Sequence, residues 1–261
     1  MIEEQQKPAA LQANAAVKSF GRGRGRHQVL FDVNVEVWPG ECLGIIGASG
    51  SGKSTLTRIM FGLEQPDSGD VLFNGVSILG ASGRAQLRSL RAASGIVYQN
   101  PFASLDPRWT AGRSIAEPLR LAGERDERGI GGQVSRAMEL VGLEPSEFMG
   151  RYPMDMSGGQ AQRVALARTL CHKKPLLVLD DPFSALDKST EKEVFANVRA
   201  LTRDSIVLLL SHRLYLFPQM DQIIWMDEGK TTVGTHEKLL QKIPVYAALF
   251  TAQEGEDSHE A

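Results

Sequence analysis

Apolar and polar positions alternate in some stretches of the chain and recur at helical spacing in others. Residues 29–46 (VLFDVNVEVWPGECLGII) alternate and then close in an apolar run, which predicts two strands around a turn at Pro39 and Gly40. Two short apolar runs, LLVL at 176–179 and IVLLL at 206–210, predict buried strands. Helical spacing is found in residues 52–63, 158–172 and 189–202. Strands that alternate with helices favour an α/β fold with a largely parallel sheet.

The middle of the chain has a different pattern. TAGRSIAEPLRLAG and GGQVSRAMELVGL are helical in period and are joined by the polar, glycine-rich segment GERDERGIGG. We therefore predict a helical subdomain at about residues 100–156, inserted into a core formed by about 11–99 and 157–245 of one domain, 11–245. Residues 246–261 are predicted to form a flexible acidic tail, because the end of the chain, AQEGEDSHEA, is acidic and poor in apolar residues.

A glycine-rich loop follows the first apolar run and precedes the first predicted helix. GASGSGKST, Gly47 to Thr55, fits the pattern G-x-x-x-x-G-K-[ST] of a phosphate-binding loop in the context that this pattern requires. Its glycines allow backbone N–H groups to surround phosphates, Lys53 reaches the β- and γ-phosphates, and the Ser54 hydroxyl can ligate Mg²⁺. The sequence therefore predicts binding of a nucleoside triphosphate, with contacts from the residues of this loop: Gly47, Ser49, Gly50, Ser51, Gly52, Lys53, Ser54 and Thr55.

The apolar run at 176–179 ends at two adjacent aspartates, Asp180 and Asp181. Two neighbouring carboxylates repel each other, and each is costly to desolvate without a positive or protic partner. A phosphate-binding loop needs an acidic residue at the end of a neighbouring strand to hold magnesium, directly or through water. Asp180 has the position of that residue, so Mg²⁺ and ATP are the expected cofactors.

Ser157-Gly158-Gly159-Gln160 begins another predicted helix and offers a hydroxyl and free N–H groups to an anion. With this motif the sequence resembles the ATP-binding cassette (ABC) ATPases, whose signature LSGGQ has its leucine replaced here by Met156. The resemblance implies a P-loop NTPase fold with a RecA-like core, an antiparallel β subdomain and the inserted helical subdomain. It also implies that the four signature residues bind the ATP held by the P-loop of a second subunit, in a head-to-tail dimer.

The resemblance implies roles for four more residues. Phe20 matches the aromatic residue that stacks on adenine, and Gln99 in VYQNP matches the glutamine that senses magnesium and the γ-phosphate. Asp187 in SALD matches the loop that crosses to the partner, and His212 matches the switch histidine at the γ-phosphate. The other histidines lack metal-ligand spacing and are predicted to be surface residues: His27, His172, His236 and His259.

Asp181 stands where family members that hydrolyse ATP well usually carry glutamate, which polarises the attacking water. Aspartate is shorter by one methylene, and a displacement of ~1 Å in a catalytic group can cost about 100-fold in rate. We therefore expect a weak site on this chain's own P-loop. Asp–Asp at this place also resembles the weaker half of asymmetric ABC pairs, which favours a heterodimer with a glutamate-bearing paralogue over a homodimer.

Composition and charge limit the possible partners and locations. The apolar runs are far shorter than the ~20 residues needed to span a bilayer, the first ten residues lack a secretory pattern, and two cysteines indicate a reducing cytoplasm. A net charge of −2 gives no overall basic excess, so no nucleic-acid partner is expected. The basic stretch GRGRGRH at 21–27 remains open as an RNA-binding arm or, as we favour, an exposed loop.

Together these features predict an ATPase subunit of an ABC transporter at the cytoplasmic face of the cell membrane. The expected partners are integral membrane subunits, a second ABC ATPase subunit and an extracytoplasmic substrate-binding protein. NPFASLDPRWTAG resembles a segment of peptide and nickel importer ATPases that abuts the membrane subunit, whereas SHRL and the C-terminal end are more similar to exporter cassettes, so the direction of transport stays open. The alternatives are a soluble ABC ATPase outside transport and a regulatory subunit that mainly binds ATP.

Overall fold

The computed structural model describes residues 9–257, in which strands and helices alternate as an α/β chain. The strands are β1 (Leu11–Phe20), β2 (His27–Val37), β3 (Cys42–Gly47), β4 (Ser68–Phe73), β5 (Val76–Ser77), β6 (Ser94–Val97), β7 (Leu176–Asp180), β8 (Ile206–Leu210), β9 (Gln222–Asp227) and β10 (Lys230–Gly234). The helices are α1 (Lys53–Met60), α2 (Arg84–Ala93), α3 (Ala111–Leu121), α4 (Glu127–Leu140), α5 (Pro145–Phe148), α6 (Gly158–Cys171), α7 (Lys188–Leu201), α8 (His236–Lys242) and α9 (Pro244–Asp257). Short 3₁₀ turns lie at Gly23–Gly25, Pro153–Asp155 and Leu214–Gln219.

The first of two compact units combines the chain up to Ser94 with the chain from Asp204 onward. One of its sheets has the strand order β2-β1-β4-β5 with antiparallel pairing throughout. In the other, β3 pairs in parallel with β8 and β9, and β10 pairs antiparallel with β9. Every residue of β3 and β8 is buried, as is typical of parallel strands covered on both faces. Both the largely parallel pairing and the antiparallel subdomain agree with the sequence prediction.

The second unit comprises Gly95–Arg203 and is larger than the helical subdomain predicted at 100–156. Helix α6 packs against both α3 and α4, which joins the predicted helical insertion to the segment that follows it. Strands β7 and β6 are neighbours in the sheet order. Helix α4 begins at Glu127, inside the segment predicted to be a linker, because the Asp126 carboxylate caps it by accepting the N–H of Arg128 at 3.1 Å.

The C-terminal region contains a helix that extends into the segment predicted to be a flexible acidic tail. Helix α9 runs from Pro244 to Asp257, past the domain boundary predicted at residue 245. Tyr246 is fully buried with its ring edge-on to Trp225, 5.8 Å between centroids, and burial raises the pKa of its hydroxyl. The residues 258–261 of the predicted tail lie outside the described part of the chain.

The surface prediction for the histidines is wrong for one of them. His236 is buried, and its Nδ1 lies 2.8 Å from the Tyr246 hydroxyl, so the two rings share a hydrogen bond in the core. This pairing joins two residues ten positions apart, which periodicity does not reveal. His27 is exposed and His172 is half-buried, whereas His259 lies outside the described residues.

Candidate nucleotide-binding site

The phosphate-binding loop lies between β3 and α1, as predicted. Gly50 and Gly52 adopt φ values of 80° and 101°, in the left-handed region that favours glycine. Gly52 is also the residue before the first helical one, and it offers no side chain to cap the helix. As at any helix start, the first N–H groups of α1 have no carbonyl partner within the helix, and such groups can bind an anion.

Lys53 folds back across this loop. Its ammonium donates hydrogen bonds to the carbonyls of Gly47 at 2.7 Å and Ala48 at 2.8 Å. A bound phosphate would offer the same donor group oxygens with full negative charge, and charge-assisted hydrogen bonds are roughly twice as strong as neutral ones. Ser54 is exposed and Thr55 is half-buried at the start of the helix, and Ser51 is buried.

An open cleft of about 730 Å³ adjoins the loop within the first unit. It is lined by three segments: the P-loop at 48–51, the β9–β10 turn at 227–230, and residues of β2. The Phe31 N–H donates to the Gly229 carbonyl at 3.0 Å, which links the last two segments. The volume is within the range of small-molecule sites, and the phosphate-binding loop forms part of the wall.

Phe20, predicted to stack on adenine, does not line this cleft. It ends β1 with 44% of its surface exposed, and it pairs across the sheet with His27, which does line the cleft. The Lys18 ammonium lies 5.4 Å from the centre of the Phe20 ring. The aromatic residue that lines the cleft is Phe31, 40% exposed, which the sequence analysis did not single out because alternation along β2 is equally consistent with a solvent-facing position.

Asp180 and Asp181 have different backbone environments. Asp180 is the half-buried last residue of the buried strand β7. Asp181 begins the following turn with φ at 48°, in the left-handed region that aspartate tolerates better than most residues. Its carbonyl accepts a hydrogen bond from the amide Nε2 of the buried Gln162 at 3.3 Å. Helix α6 therefore holds the backbone at the second aspartate.

The signature residues form the start of α6. The Ser157 Oγ accepts the N–H of Gln160 at 3.2 Å, and the Gln160 side chain accepts the N–H of Ser157 at 3.0 Å, so the two close a capping box. The N–H groups of Gly158 and Gly159 are among the first of the helix and have no carbonyl partner within it, and the Ser157 hydroxyl can still donate its proton. The family resemblance implies nucleotide contact for Gln160, whereas in the structure its side-chain carbonyl oxygen accepts a hydrogen bond within the cap.

The SALD loop packs on the signature within the second unit. A Cβ atom on Gly159 would lie 2.5 Å from the Ala185 carbonyl oxygen, which is closer than van der Waals contact permits. Asp187 caps α7 by accepting the Thr190 N–H at 3.0 Å and the Ser189 hydroxyl at 2.8 Å. The pKa of the Asp187 carboxyl is held well below its usual range, first by the Thr190 backbone N–H and then by side-chain hydroxyls.

Gln99 and His212 follow strands in the two units. Gln99 is exposed two residues after the end of β6, and His212 is exposed two residues after the end of β8. The structure thus groups the P-loop with the β9–β10 turn in one unit, and the signature with SALD in the other.

A parallel strand that leads through a glycine-rich loop into a helix, with a lysine at the first helical position, defines a P-loop nucleotide-binding protein. The family model described as ABC transporter matches residues 30–184, and the chain belongs to this family. As an ATP-binding domain of that family it is an ATPase, as predicted from its sequence.

Relatives with known names support this membership. The chain is 38% identical over 229 residues to the nickel import ATP-binding protein NikE of Rhodospirillum rubrum, covering 84% of this chain and 82% of the relative. It is 40% identical over 230 residues to the glutathione import ATP-binding protein GsiA of Escherichia coli, covering 82% of this chain but only 36% of that relative. The methionine import ATP-binding protein MetN of Corynebacterium diphtheriae is 39% identical over 219 residues, covering 82% of this chain and 62% of that relative.

Solved structures share the fold. A dimeric ATP-binding cassette in a post-hydrolysis state, bound to ADP and Pi, matches with a TM-score of 0.78 and 27% identity over 86% of this chain and 98% of its own. A bacterial Atm1-family ABC exporter with ATP bound matches with a TM-score of 0.76 and 30% identity over 96% of this chain and 44% of its own. The predicted fold class is therefore confirmed. Across residues 9–257, no helix combines the length and apolar character needed to cross a membrane.

Proposed function

We propose that this ATPase subunit powers a solute importer, works with Mg²⁺ and docks on integral membrane subunits at the cytoplasmic face of the membrane. The observation that carries the proposal is the uncapped start of α1 with Lys53 folded over a left-handed glycine loop. Three of the relatives are import ATP-binding proteins, which favours import. An extracytoplasmic substrate-binding protein would supply the solute.

Ser54, Gln99 and Asp180 are the residues that would hold Mg²⁺. A hydroxyl, a side-chain amide carbonyl and a carboxylate are oxygen donors of the kind that this ion prefers, so the donor set fits. When bound with the nucleotide, the ion would neutralise part of the negative charge of the phosphates. Lys53 would exchange its bonds to the Gly47 and Ala48 carbonyls for phosphate oxygens, and His212 would contact the γ-phosphate.

The signature residues would bind the nucleotide held by a second ATPase subunit. The capping box leaves the Ser157 oxygen accepting from Gln160, so its hydroxyl proton can be donated to a phosphate oxygen. The N–H groups of Gly158 and Gly159 would add two further donors at the positive end of α6. Gln160 would act through the cap rather than by direct contact.

Asp181 favours an unequal pair of ATPase subunits. Its carboxylate is one methylene shorter than that of glutamate, so it would polarise the attacking water poorly at the chain's own P-loop site. The left-handed backbone at this residue, with φ at 48°, suits aspartate better than a longer side chain. A glutamate-bearing paralogue, completed by this chain's signature, would provide the more active site. A subunit that mainly binds ATP is the second candidate function, and Asp181 is the observation that favours it.

Asp181→Glu tests this assignment in the assembled complex. We expect the ATPase rate to rise by roughly 10- to 100-fold at this site, because the longer carboxylate reaches the water. Asp181→Asn is the matched control, since it keeps the length of aspartate and removes the charge, and it should lower the rate. An unchanged rate for Asp181→Glu would show that the short carboxylate does not limit ATP hydrolysis. Separately, native mass spectrometry of the complex would show whether it contains one or two kinds of ATPase subunit.

Phe102 is the proposed contact with the membrane subunits. It is 46% exposed, whereas Trp109 is half-buried with the Arg113 guanidinium 4.3 Å from its ring centre. The segment between them is anchored, because the Arg168 guanidinium donates to the Ser104 carbonyl at 2.5 Å, and burial lowers the pKa of Arg168. An exposed aromatic on an anchored segment is suited to docking.

Co-purification tests the docking. The chain should capture integral membrane proteins encoded with it, and Phe102→Asp should reduce that capture by about tenfold or more, as expected for loss of an aromatic anchor. Val76→Asp is the control, because Val76 is 54% exposed in the antiparallel sheet of the other unit. Capture of no integral membrane protein by the unmodified chain would contradict the transporter assignment and favour a soluble ABC ATPase.

A further inference from the structure

One side chain of the C-terminal helix α9 contacts the backbone on both sides of the His212–Leu214 turn. The Gln253 Nε2 donates to the His212 carbonyl at 2.8 Å, and the Gln253 Oε1 accepts the Leu214 N–H at 2.7 Å. Both ends of a single carboxamide are therefore bonded to the loop that carries the switch histidine. A side chain that both donates and accepts is needed for this pair of bonds, which glutamine supplies and glutamate or lysine does not.

The helix that presents Gln253 is fixed in the core of the first unit. Tyr246 lies seven residues, or two turns, before Gln253, so both are on one face of α9. Tyr246 is fully buried and hydrogen-bonds His236, and the Phe250 ring lies 4.6 Å from the His236 ring. Packing of α9 in the core therefore places the backbone of Gln253 beside the loop, and its side chain makes the two hydrogen bonds from that position.

The loop itself is constrained at other points while the histidine side chain is left exposed. The Ser211 Oγ accepts the Arg213 N–H at 3.0 Å, and Leu214 is buried immediately afterwards. The His212 side chain is exposed between these fixed groups. The orientation of the backbone at His212 sets the direction of its Cα–Cβ bond. Because hydrogen bonds hold the His212 carbonyl and the Leu214 N–H, they restrict the direction in which the imidazole can project.

We propose that Gln253 is a positioning residue for His212, which couples the C-terminal helix to ATP hydrolysis. The inference rests on the proposed role of His212 at the γ-phosphate. Gln253 does not touch the nucleotide in this arrangement; it fixes the backbone from which the imidazole extends. Loss of the carboxamide would leave ATP binding at the P-loop intact and slow the step in which the histidine takes part.

Three variants of the full chain, assembled with its membrane subunits, separate positioning from packing. Gln253→Ala removes both bonds, and Gln253→Glu keeps the volume and the acceptor but replaces the donor. Thr251→Ala is the matched control on an exposed face of α9, since the Thr251 hydroxyl donates only to the Ala247 carbonyl of the same helix among the bonds observed. Each variant is measured for kcat and KM for ATP, alone and combined with His212→Ala.

We expect Gln253→Ala and Gln253→Glu to lower kcat by about tenfold, with KM within about twofold, because sub-ångström displacement of a catalytic group costs rate more than affinity. In the His212→Ala background neither should cause a further fall, since the two residues act as one unit. Amide hydrogen exchange at Leu214 should be faster in Gln253→Ala than in the unmodified chain. Thr251→Ala should leave all three quantities unchanged.

Additive losses in the His212→Ala background would overturn the inference, and so would an unchanged exchange rate at Leu214 or full activity of Gln253→Glu. If His212→Ala alone retained full ATPase activity, the proposed role of His212 would be wrong and the positioning role would fall with it. Leu214 exchange distinguishes the two failures. Faster exchange in Gln253→Ala would show that Gln253 does hold the loop and that only the role of His212 is wrong. Unchanged exchange would show that the two hydrogen bonds of Gln253 do not hold the loop.

Discussion

The starts of α1 and α6 are both glycine-rich and are both proposed to bind phosphate, yet their local chemistry differs. Helix α1 begins after Gly52 with no side-chain cap, and Lys53 satisfies loop carbonyls instead. Helix α6 begins after Ser157 with a complete capping box. The start of α1 therefore has no side-chain acceptor for its first N–H groups, whereas at the start of α6 the Ser157 oxygen accepts one of them and still has a hydroxyl proton to donate.

The glycines of the two starts also serve different needs. Gly50 and Gly52 have left-handed backbones, so any side chain there would be strained. Gly159 has a helical backbone, and it must be glycine because the neighbouring Ala185 carbonyl leaves no room for a Cβ atom. One motif thus depends on backbone conformation, and the other depends on the close approach of a second loop. This difference leads to experiments that affect one start and spare the other.

The largest effect is expected at the P-loop. Lys53→Ala should lower ATPase activity by roughly 100- to 1,000-fold, as removal of a preorganised transition-state donor does. It should also weaken ATP binding to the isolated chain, measured by titration with a fluorescent ATP analogue. The loop GASGSGKST contains no second cationic residue, so nothing within it replaces the lost charge.

The control for this prediction is a variant at the other helix start, Ser157→Ala, which should leave ATP affinity of the isolated chain unchanged. Equal weakening by both variants would show that the two starts do not serve separate nucleotides. Unchanged ATP binding and hydrolysis in Lys53→Ala would contradict the assignment of the P-loop itself.

Features with local chemical signals were predictable from the sequence, and features that depend on distant contacts were not. The P-loop, Asp180 and the signature can be recognised in the sequence because each is defined by residue types and spacing within a few positions. The buried pair His236 and Tyr246 was missed because the two residues are ten positions apart, and only packing of α9 brings their side chains together. The capping role of Gln160 and the loop contacts of Gln253 were missed because polar side chains at a helix end or in an acidic tail are usually solvated.

A smaller effect, on stability, is expected from the steric difference between the two signature glycines. Gly159→Ala should lower the free energy of unfolding by about 1–3 kcal/mol, because its Cβ would overlap a backbone oxygen that cannot rotate away. Gly158→Ala is the matched control, with the Ala185 Cβ 4.0 Å away as its nearest neighbour. It should be neutral within about 0.5 kcal/mol or slightly stabilising, given the helix propensity of alanine. Identical urea midpoints for the two variants would show that the Ala185 carbonyl of the SALD loop does not limit the space at Gly159.

The smallest effect on stability is expected from the cap at Ser157, but its consequence for activity is the more informative. Ser157→Ala should cost about 1 kcal/mol of unfolding free energy through loss of the bond to the Gln160 N–H. Ser157→Asn retains a capping acceptor, so it should be nearly as stable as the unmodified chain. Both should slow ATPase turnover of the assembled complex, because neither has the hydroxyl proton that we expect to reach the partner's nucleotide.

Stability is measured by urea unfolding and turnover by phosphate release, with Ser157→Thr as the variant that keeps both the cap and the hydroxyl. Ser157→Thr should retain most of the stability and most of the turnover. Full turnover in Ser157→Asn would show that the serine only caps α6, and the two glycine-rich helix starts would then differ in function as well as in capping. Slow turnover in a stable Ser157→Asn would instead separate the two uses of one oxygen, accepting from its own helix and donating to a phosphate.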